Sequence, residues 1–323
     1  MQEIKLIDIM GIKVGHEQNY EAATGCTVII CEEGATAGVD VRGGAPGTRE
    51  TDLLNPANLV DKVHAVLIGG GSAFGLDAAS GVMAYLEERG FGFDVGVTKV
   101  PIVAGAVLFD LTVGDHSIRP DKEMGYRACE KASNKECPHG TVGAGTGATV
   151  GKIIGPEYSM KGGLGTYAIQ VGDLQVGAIV AVNCLGDVID PANGRILAGA
   201  LNKDKSKFIN TEEFMISQYD NKRNLFSGNT TIGVIVTNAI LNKAQANKIA
   251  SMTHNGYART IYPAHTMFDG DTIFTLGTGR VEADINVIGL LAAKVMAQAV
   301  VVAIKDASAL CGYICHNDLT ENL

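Results

Sequence analysis

Charge is scarce in this 323-residue chain: Asp, Glu, Lys and Arg make up 19% of it, below the usual quarter. With 46% apolar residues beside that, long disordered stretches are excluded and a substantial core is expected. A basic stripe is also missing. The 26 Lys and Arg face 35 Asp and Glu, a net charge of −9, which argues against nucleic acid as the main partner. The N-terminus, Met-Gln-Glu-Ile-Lys, lacks the apolar core of an export signal. There is no Gly-X-Y period, internal repeat or low-complexity tract. The 41 glycines, about 13% against a typical 7%, must therefore serve turns and close backbone contacts. The seven cysteines are scattered, several inside apolar runs (Cys26, Cys31, Cys184). They read as small buried hydrophobes in a reducing, cytoplasmic compartment.

The length is long for one core and short for two ordinary domains, and the reading is a single domain over residues 1–323. Two β-branched runs, Cys26 to Cys31 and Ala35 to Arg42, are joined by Glu33-Gly34 and predict a hairpin. Val63 to Ile68 predicts a strand that runs into Gly69-Gly70-Gly71-Ser72. A helix follows from Leu76, with Leu76, Ala79, Met83 and Leu86 on one face and Gly90 at its end. Strands are predicted over Gln175 to Cys184, Thr230 to Thr237 and Asp271 to Leu276, and helices over Leu241 to His254 and Asp284 to Lys305. Residues 202–226 are polar and predict a surface segment with a short helix. The most apolar stretch, Val287 to Ile304, carries Lys294 and Gln298 four apart, with Lys305 beyond them on the same narrow stripe. This predicts a buried helix rather than a membrane span. Elements interleave without a steady βαβ rhythm, so a layered mixed α/β sandwich is expected over a plain doubly wound sheet.

Three motifs lose their first reading on inspection. The loop at residues 69–75 lacks Gly-Lys-Ser/Thr and is not a P-loop, and Phe74 stands where a nucleophile elbow needs glycine. What remains at Gly70, Gly71 and Ser72 is either a tight packing turn or a strand–helix junction whose amides suit a carboxylate or oxyanion. Gly143-Ala-Gly145-Thr-Gly147-Ala148 matches a loose dinucleotide-binding pattern but no apolar strand precedes it, and Lys152 just beyond reads as a surface lysine. Cys311, Cys315 and His316 lack a second pair with zinc-site spacing, so no metal is expected. Asp269-Gly270-Asp271 is either a turn or, in an extended segment, a pair of carboxylates on one face, whose like charges would raise one pKa.

Asn229-Thr230 closes the polar segment and opens an apolar strand. It reads as turn residues before a strand, or as a scissile bond. In the second case Thr230 gains a free α-amine beside its own hydroxyl. Such an amine titrates near neutrality and supplies the base that a weak hydroxyl nucleophile needs. No histidine is then required, which fits the dispersal of all seven.

At this point the chain resembles the DmpA-type aminopeptidase family, which includes β-peptidyl aminopeptidases and nylon-oligomer hydrolases. The likeness is carried by Val14-Gly15-His16, Thr24-Gly25-Cys26-Thr27-Val28, the Val41 to Asp52 stretch, Gly70 to Asp77, Val100 to Val103, Gly143 to Gly147, Val182-Asn183 and Gly228 to Ile232, in this order. The resemblance implies a four-layer αββα sandwich of the DmpA and ornithine-acetyltransferase type. It implies self-cleavage into residues 1–229 and 230–323, with Thr230 as nucleophile. Asn183 would help bind the oxyanion, and Asp269, Asp271 and Lys152 would match the nylon-hydrolase branch. Phe109 stands where several members carry tyrosine. The implied substrates are small amides or short peptides, with α-aminoacyl amides, β-peptides, pantetheine-like amides and aminohexanoate oligomers as candidates. No cofactor is implied, and a homo-oligomer, a tetramer by the resemblance, is expected. The competing readings are an acyltransferase of the ornithine-acetyltransferase kind and a non-catalytic anion-binding protein. A dinucleotide oxidoreductase rests on the glycine motif alone.

Overall fold

The computed structural model of the chain describes residues 1–220 and 228–320. Ten strands form one hydrogen-bonded network: β1 (Gln2–Ile4), β2 (Lys13–Asn19), β3 (Thr24–Val41), β4 (Thr48–Arg49), β5 (Lys62–Gly69), β6 (Val103–Val107), β7 (Gly163–Val171), β8 (Leu174–Asn183), β9 (Thr230–Ala239) and β10 (Thr272–Val281). They run in the order β1-β7-β8-β9-β10-β3-β5-β6-β4, with β2 also paired to β3. The β9–β10 and β5–β6 pairs are parallel.

β3 belongs to both halves of this network. Residues Thr36 to Val41 pair with β10, while Cys26 to Ile30 pair with β5 and Thr24 to Ile30 with β2. The expected hairpin is corrected here. The two runs find partners on other strands rather than on each other. Between them the register shifts, and Gly34 adopts a left-handed φ of +77°. One bent 18-residue strand results.

Alternation along the strands sorts their side chains into layers. Cys26, Val28, Ile30, Ala65 and Leu67 pack with the buried faces of α1 (Ala78–Glu88) and α2 (Lys122–Glu130). Ile29, Val66 and Ile68 point the other way. They join Ile179, Ala181, Ile232, Val234, Val236, Phe274 and Leu276 in a core between two sheet faces. Val176, Ala178, Val180, Val182 and Ile235 face outward again, onto α3 (Lys243–Tyr257) and α4 (Ile285–Lys305). Helix pair, sheet, sheet, helix pair: this is the four-layer αββα sandwich.

The helices begin where their caps dictate. Asn242 and Gln245 form a reciprocal capping box on α3, and the Asp284 carboxylate accepts from the amides of Asn286 and Val287 at the start of α4. α4 is long and apolar enough to cross a membrane by composition, with a mean hydropathy of 2.3. It lies instead with most of its surface buried against β7, β8 and α3, and its exposed positions are the predicted stripe of Lys294, Gln298 and Lys305 together with Asn286, Val287 and Leu290 in its first turns. Within the polar segment a short helix spans Thr211–Ser217; residues 221–226 of it, and Ser227 after it, lie outside the described residues.

Candidate active site

Topology gathers the site. β9 and β10 are parallel, so both begin at the same edge of their sheet, and antiparallel β8 ends there. Asn183, the last residue of β8, is therefore the register partner of Thr230, the first of β9. One residue earlier, Asn229 forms a parallel bridge with Asp269. The second sheet contributes from its own parallel pair, since the chain leaving β5 forms Gly70-Gly71-Ser72 and the chain leaving β6 forms Leu108-Phe109-Asp110. Asn183 links the two sheets by donating from Nδ2 to the Phe109 carbonyl at 2.9 Å.

Thr230 is 4% exposed. Its hydroxyl donates to the carbonyl oxygen of Asn229, and the Gly270 amide donates to that same oxygen at 2.9 Å. Glycine is required at 270 by space. A Cβ there would come within 2.7 Å of the Thr230 Oγ1 and 2.8 Å of the Ala45 carbonyl. The Asp269-Gly270-Asp271 segment is pinned on its other side as well, where Ala45 N donates to Asp269 O at 2.8 Å and Arg42 N to Asp271 O at 2.9 Å.

The two carboxylates serve different neighbours. Asp269 accepts from Leu185 N at 3.3 Å, and from the Thr266 amide and hydroxyl at 3.0 and 2.5 Å. Burial pushes its pKa up to about 6, the Asp271 charge adds to this, and the Thr266 bonds oppose it. Like-charge proximity is thus present but second to desolvation. Asp271 accepts from the Thr231 amide at 2.8 Å, and from the His265 amide and ring Nδ1 at 3.0 and 2.8 Å.

Asn183 is fully buried, and its side chain is engaged at both ends. Its Oδ1 accepts from Thr149 N at 3.0 Å and Lys152 Nζ at 2.7 Å. The reading of Lys152 as a surface lysine is overturned. It is 5% exposed, donates to Asn183 twice, and burial lowers its pKa to about 7, with Cys184, Asp269 and Asp110 pulling the other way.

The expected anion cradle is filled from within. Gly70 N donates to Gly25 O at 2.9 Å, Gly71 N to Asp110 Oδ1 at 2.7 Å and Ser72 N to Leu108 O at 2.9 Å. The loop's role here is to seat Asp110, which also accepts from Thr24 Oγ1 at 2.8 Å. Asp110 is 2% exposed and its pKa is raised to about 6 by burial, opposed by those hydrogen bonds. A Cβ on Gly70 would stand 2.1 Å from its Oδ2. The Phe109 ring lies against Gly228, just before the Asn229–Thr230 bond.

The glycine motif at 143–147 is likewise structural. It forms a short 3-10 turn, and the buried Lys161 ammonium donates to the carbonyls of Thr146 and Ala148 at 2.8 and 2.7 Å, with Gly145 at 3.5 Å. Burial lowers the Lys161 pKa to about 7, against the pull of Asp110. This turn leads into Thr149, whose amide holds Asn183. Asp110, Lys161, His265 and Gly270 were not anticipated as site residues. Asp110 carried a signal, a carboxylate between Leu108-Phe109 and Leu111; Lys161 and His265 carried none.

Residues 5–317 match Peptidase family S58. An uncharacterized aminopeptidase of Mycobacterium leprae (strain TN) is 42% identical over 95% of this chain and 91% of its own. A 6-aminohexanoate-oligomer endohydrolase of Kocuria sp. (strain KY2) is 32% identical over 94% of this chain and 87% of its own. Among solved structures, the L-aminopeptidase D-Ala-esterase/amidase of Ochrobactrum anthropi, a variant of the Ntn hydrolase fold, is similar with a TM-score of 0.73. It covers 98% of this chain and 92% of its own at 17% identity, a likeness of fold.

Proposed function

The chain belongs to peptidase family S58 and is a hydrolase acting on amide bonds; from that premise we propose that it cuts itself between Asn229 and Thr230 and then works as an N-terminal threonine aminopeptidase. One observation carries this reading. The Thr230 hydroxyl and the Gly270 amide meet on the carbonyl oxygen of Asn229, the bond to be broken. A nucleophile adjoining a carbonyl whose oxygen already receives a fixed N–H donor is what acyl transfer needs.

In maturation, the Thr230 oxygen adds to the Asn229 carbonyl carbon and gives up its proton. The Gly270 amide holds the negative oxygen of the tetrahedral intermediate. Collapse breaks the Asn229–Thr230 C–N bond, the Thr230 nitrogen takes the proton, and an ester remains. Water hydrolyses that ester to an Asn229 carboxylate and the Thr230 hydroxyl, which now stands beside the Thr230 amine freed in the preceding step. In turnover the unprotonated amine accepts the hydroxyl proton as the oxygen attacks a substrate amide. The leaving amine takes a proton, and water releases the acyl group. An α-amine titrates near 7.7–8.0 in the absence of perturbation, so the base exists at neutral pH.

The neighbours support this division of labour. Asp269 and Asp271 bracket the start of β9 through Asn229 and Thr231, and so fix where the new terminus stands. Asn183, held by Lys152 and Thr149, pairs with Thr230 from the other side. Asn229 is 1% exposed, and its carbonyl covers the hydroxyl, so departure of the new carboxyl end is what opens the site. The substrates we propose are small amides and short peptides. Aminohexanoate oligomers are candidates because a relative at 32% identity carries that activity in its name, whereas the relative at 42% is named only as an aminopeptidase. A homo-oligomer working without a cofactor is part of the same reading.

Denaturing mass spectrometry checks the first step. Wild-type protein is expected as two chains of 229 and 94 residues, and Thr230→Ala as one uncut, inactive chain. An intact wild-type chain that still hydrolyses amides would remove the mechanism.

A further inference from the structure

His265 takes no part in the chemistry above, yet its placement is unusual. It is a non-glycine residue in the left-handed region, φ +59°, where histidine is tolerated but uncommon. Its amide and its ring Nδ1 both donate to one carboxylate oxygen, Oδ2 of Asp271. The other oxygen, Oδ1, receives the Thr231 amide. Behind the ring stand His254, with ring centroids 4.7 Å apart, and Tyr257, at 6.1 Å. His254 is itself anchored by donating from Nε2 to the Asp40 carbonyl at 3.0 Å. Among the described residues, His265 Nε2, His254 Nδ1 and the Tyr257 hydroxyl have no hydrogen-bond partner although buried. The ring is therefore held by packing on one face and by a single polar partner, Asp271.

A carboxylate gripped at one oxygen by two donors of the same residue cannot turn without breaking both bonds. The direction of its second oxygen is then set by that residue. Here the second oxygen holds the amide of Thr231, the residue that directly follows Thr230. We propose that His265 is a positioning residue for the chemistry at Thr230, acting through Asp271. This rests on the reading of Thr230 as the nucleophile.

The test is a double-mutant cycle on the full chain, using Asp271→Asn, His265→Ala and the double variant, with His265→Asn beside them. Asparagine tolerates the left-handed backbone and offers a side-chain N–H near the place of Nδ1. The readouts are the rate of self-cleavage followed by mass spectrometry and, on matured protein, kcat and KM for a peptide amide. His265→Ala is expected to slow self-cleavage and kcat roughly tenfold to a hundredfold with KM little changed, as for a small misplacement of the reacting group. His265→Asn is expected to recover most of that loss. The double variant is expected to be no slower than Asp271→Asn alone, because both changes remove one linkage. If wild type is cut while His265→Ala matches its rate, or if the two single losses multiply in the double variant, His265 does not act through Asp271. If wild type remains uncut, the Thr230 reading itself fails, and the role of His265 goes with it. Should the alanine variant not fold, His265→Gly, which accepts the left-handed backbone and has no side-chain donor, takes its place: a rate equal to wild type overturns the proposal, and a loss that His265→Asn recovers supports it.

Discussion

Lys152 and Lys161 are lysines with buried ammonium groups, each with its pKa lowered to about 7 by burial from an ordinary 10.5. Between these values the unfolded chain binds more protons than the folded one, so raising the pH through that window stabilises the fold. The contribution is full above 10.5 and is lost as pH falls toward 7. The slope is at most about 1.4 kcal/mol per pH unit for each lysine. Urea unfolding of the uncut Thr230→Ala chain at pH 7.5 and 9.5 is expected to show the rise. Lys161→Met is expected to flatten it, while lowering stability overall by about 1–3 kcal/mol through the carbonyls left without a donor. At this scale the sequence was legible only in part. Thr230, Asn183, Asp269 and Asp271 stand in motifs whose order along the chain is informative, and the structure brings them together. Lys161 and His265 were silent because their meaning lies in partners that no spacing reveals: three backbone carbonyls for one, and a carboxylate reached through a left-handed turn for the other.

Glycines decide how closely the elements lie. At Gly165 in β7 a Cβ would stand 2.1 Å from the Ala299 carbonyl and 2.5 Å from the Ala303 amide, so α4 rests its backbone on the strand. Gly165→Ala is expected to force the two apart, at a cost of about 1–3 kcal/mol or more, and to lower the melting temperature by several degrees. Gly172→Ala makes the comparison. That residue sits in open space with φ +58°, so only backbone strain of about 1 kcal/mol is expected. Thermal melts of both variants should rank them in that order. The predicted helices and strands were found within a few residues, since periodicity and caps act locally. The bent β3 was misread because Glu33-Gly34 carries the chemistry of a turn. Whether such a pair reverses a chain or merely kinks it depends on which distant strands flank it, here β5 and β10.

Across the whole molecule, a cut at residue 229 would leave the smaller chain at the centre rather than the rim. β9 lies between β8 and β10, β10 lies between β9 and β3, and α3 and α4 cover them. Both outer ladders and two apolar layers would have to open for the pieces to part. The two chains are therefore expected to travel together on gel filtration and in native mass spectrometry, and to separate only in denaturant. Free small chain in native buffer would contradict this. The layered α/β class was legible from interleaved elements without βαβ rhythm. The sharing of one strand between two sheets was not, because it depends on pairings between strands far apart in the chain.

The ammonium of Lys161, gathering three carbonyls into the turn that seats Thr149, occupies a place where a small cation would do similar work. Being covalently part of the polypeptide, it cannot be extracted by chelators or exchanged with the medium. Its vulnerable moment precedes folding: a newly made chain acylated or carbamylated at that nitrogen would keep too few N–H donors for three carbonyls and carry a group the buried site has no room for.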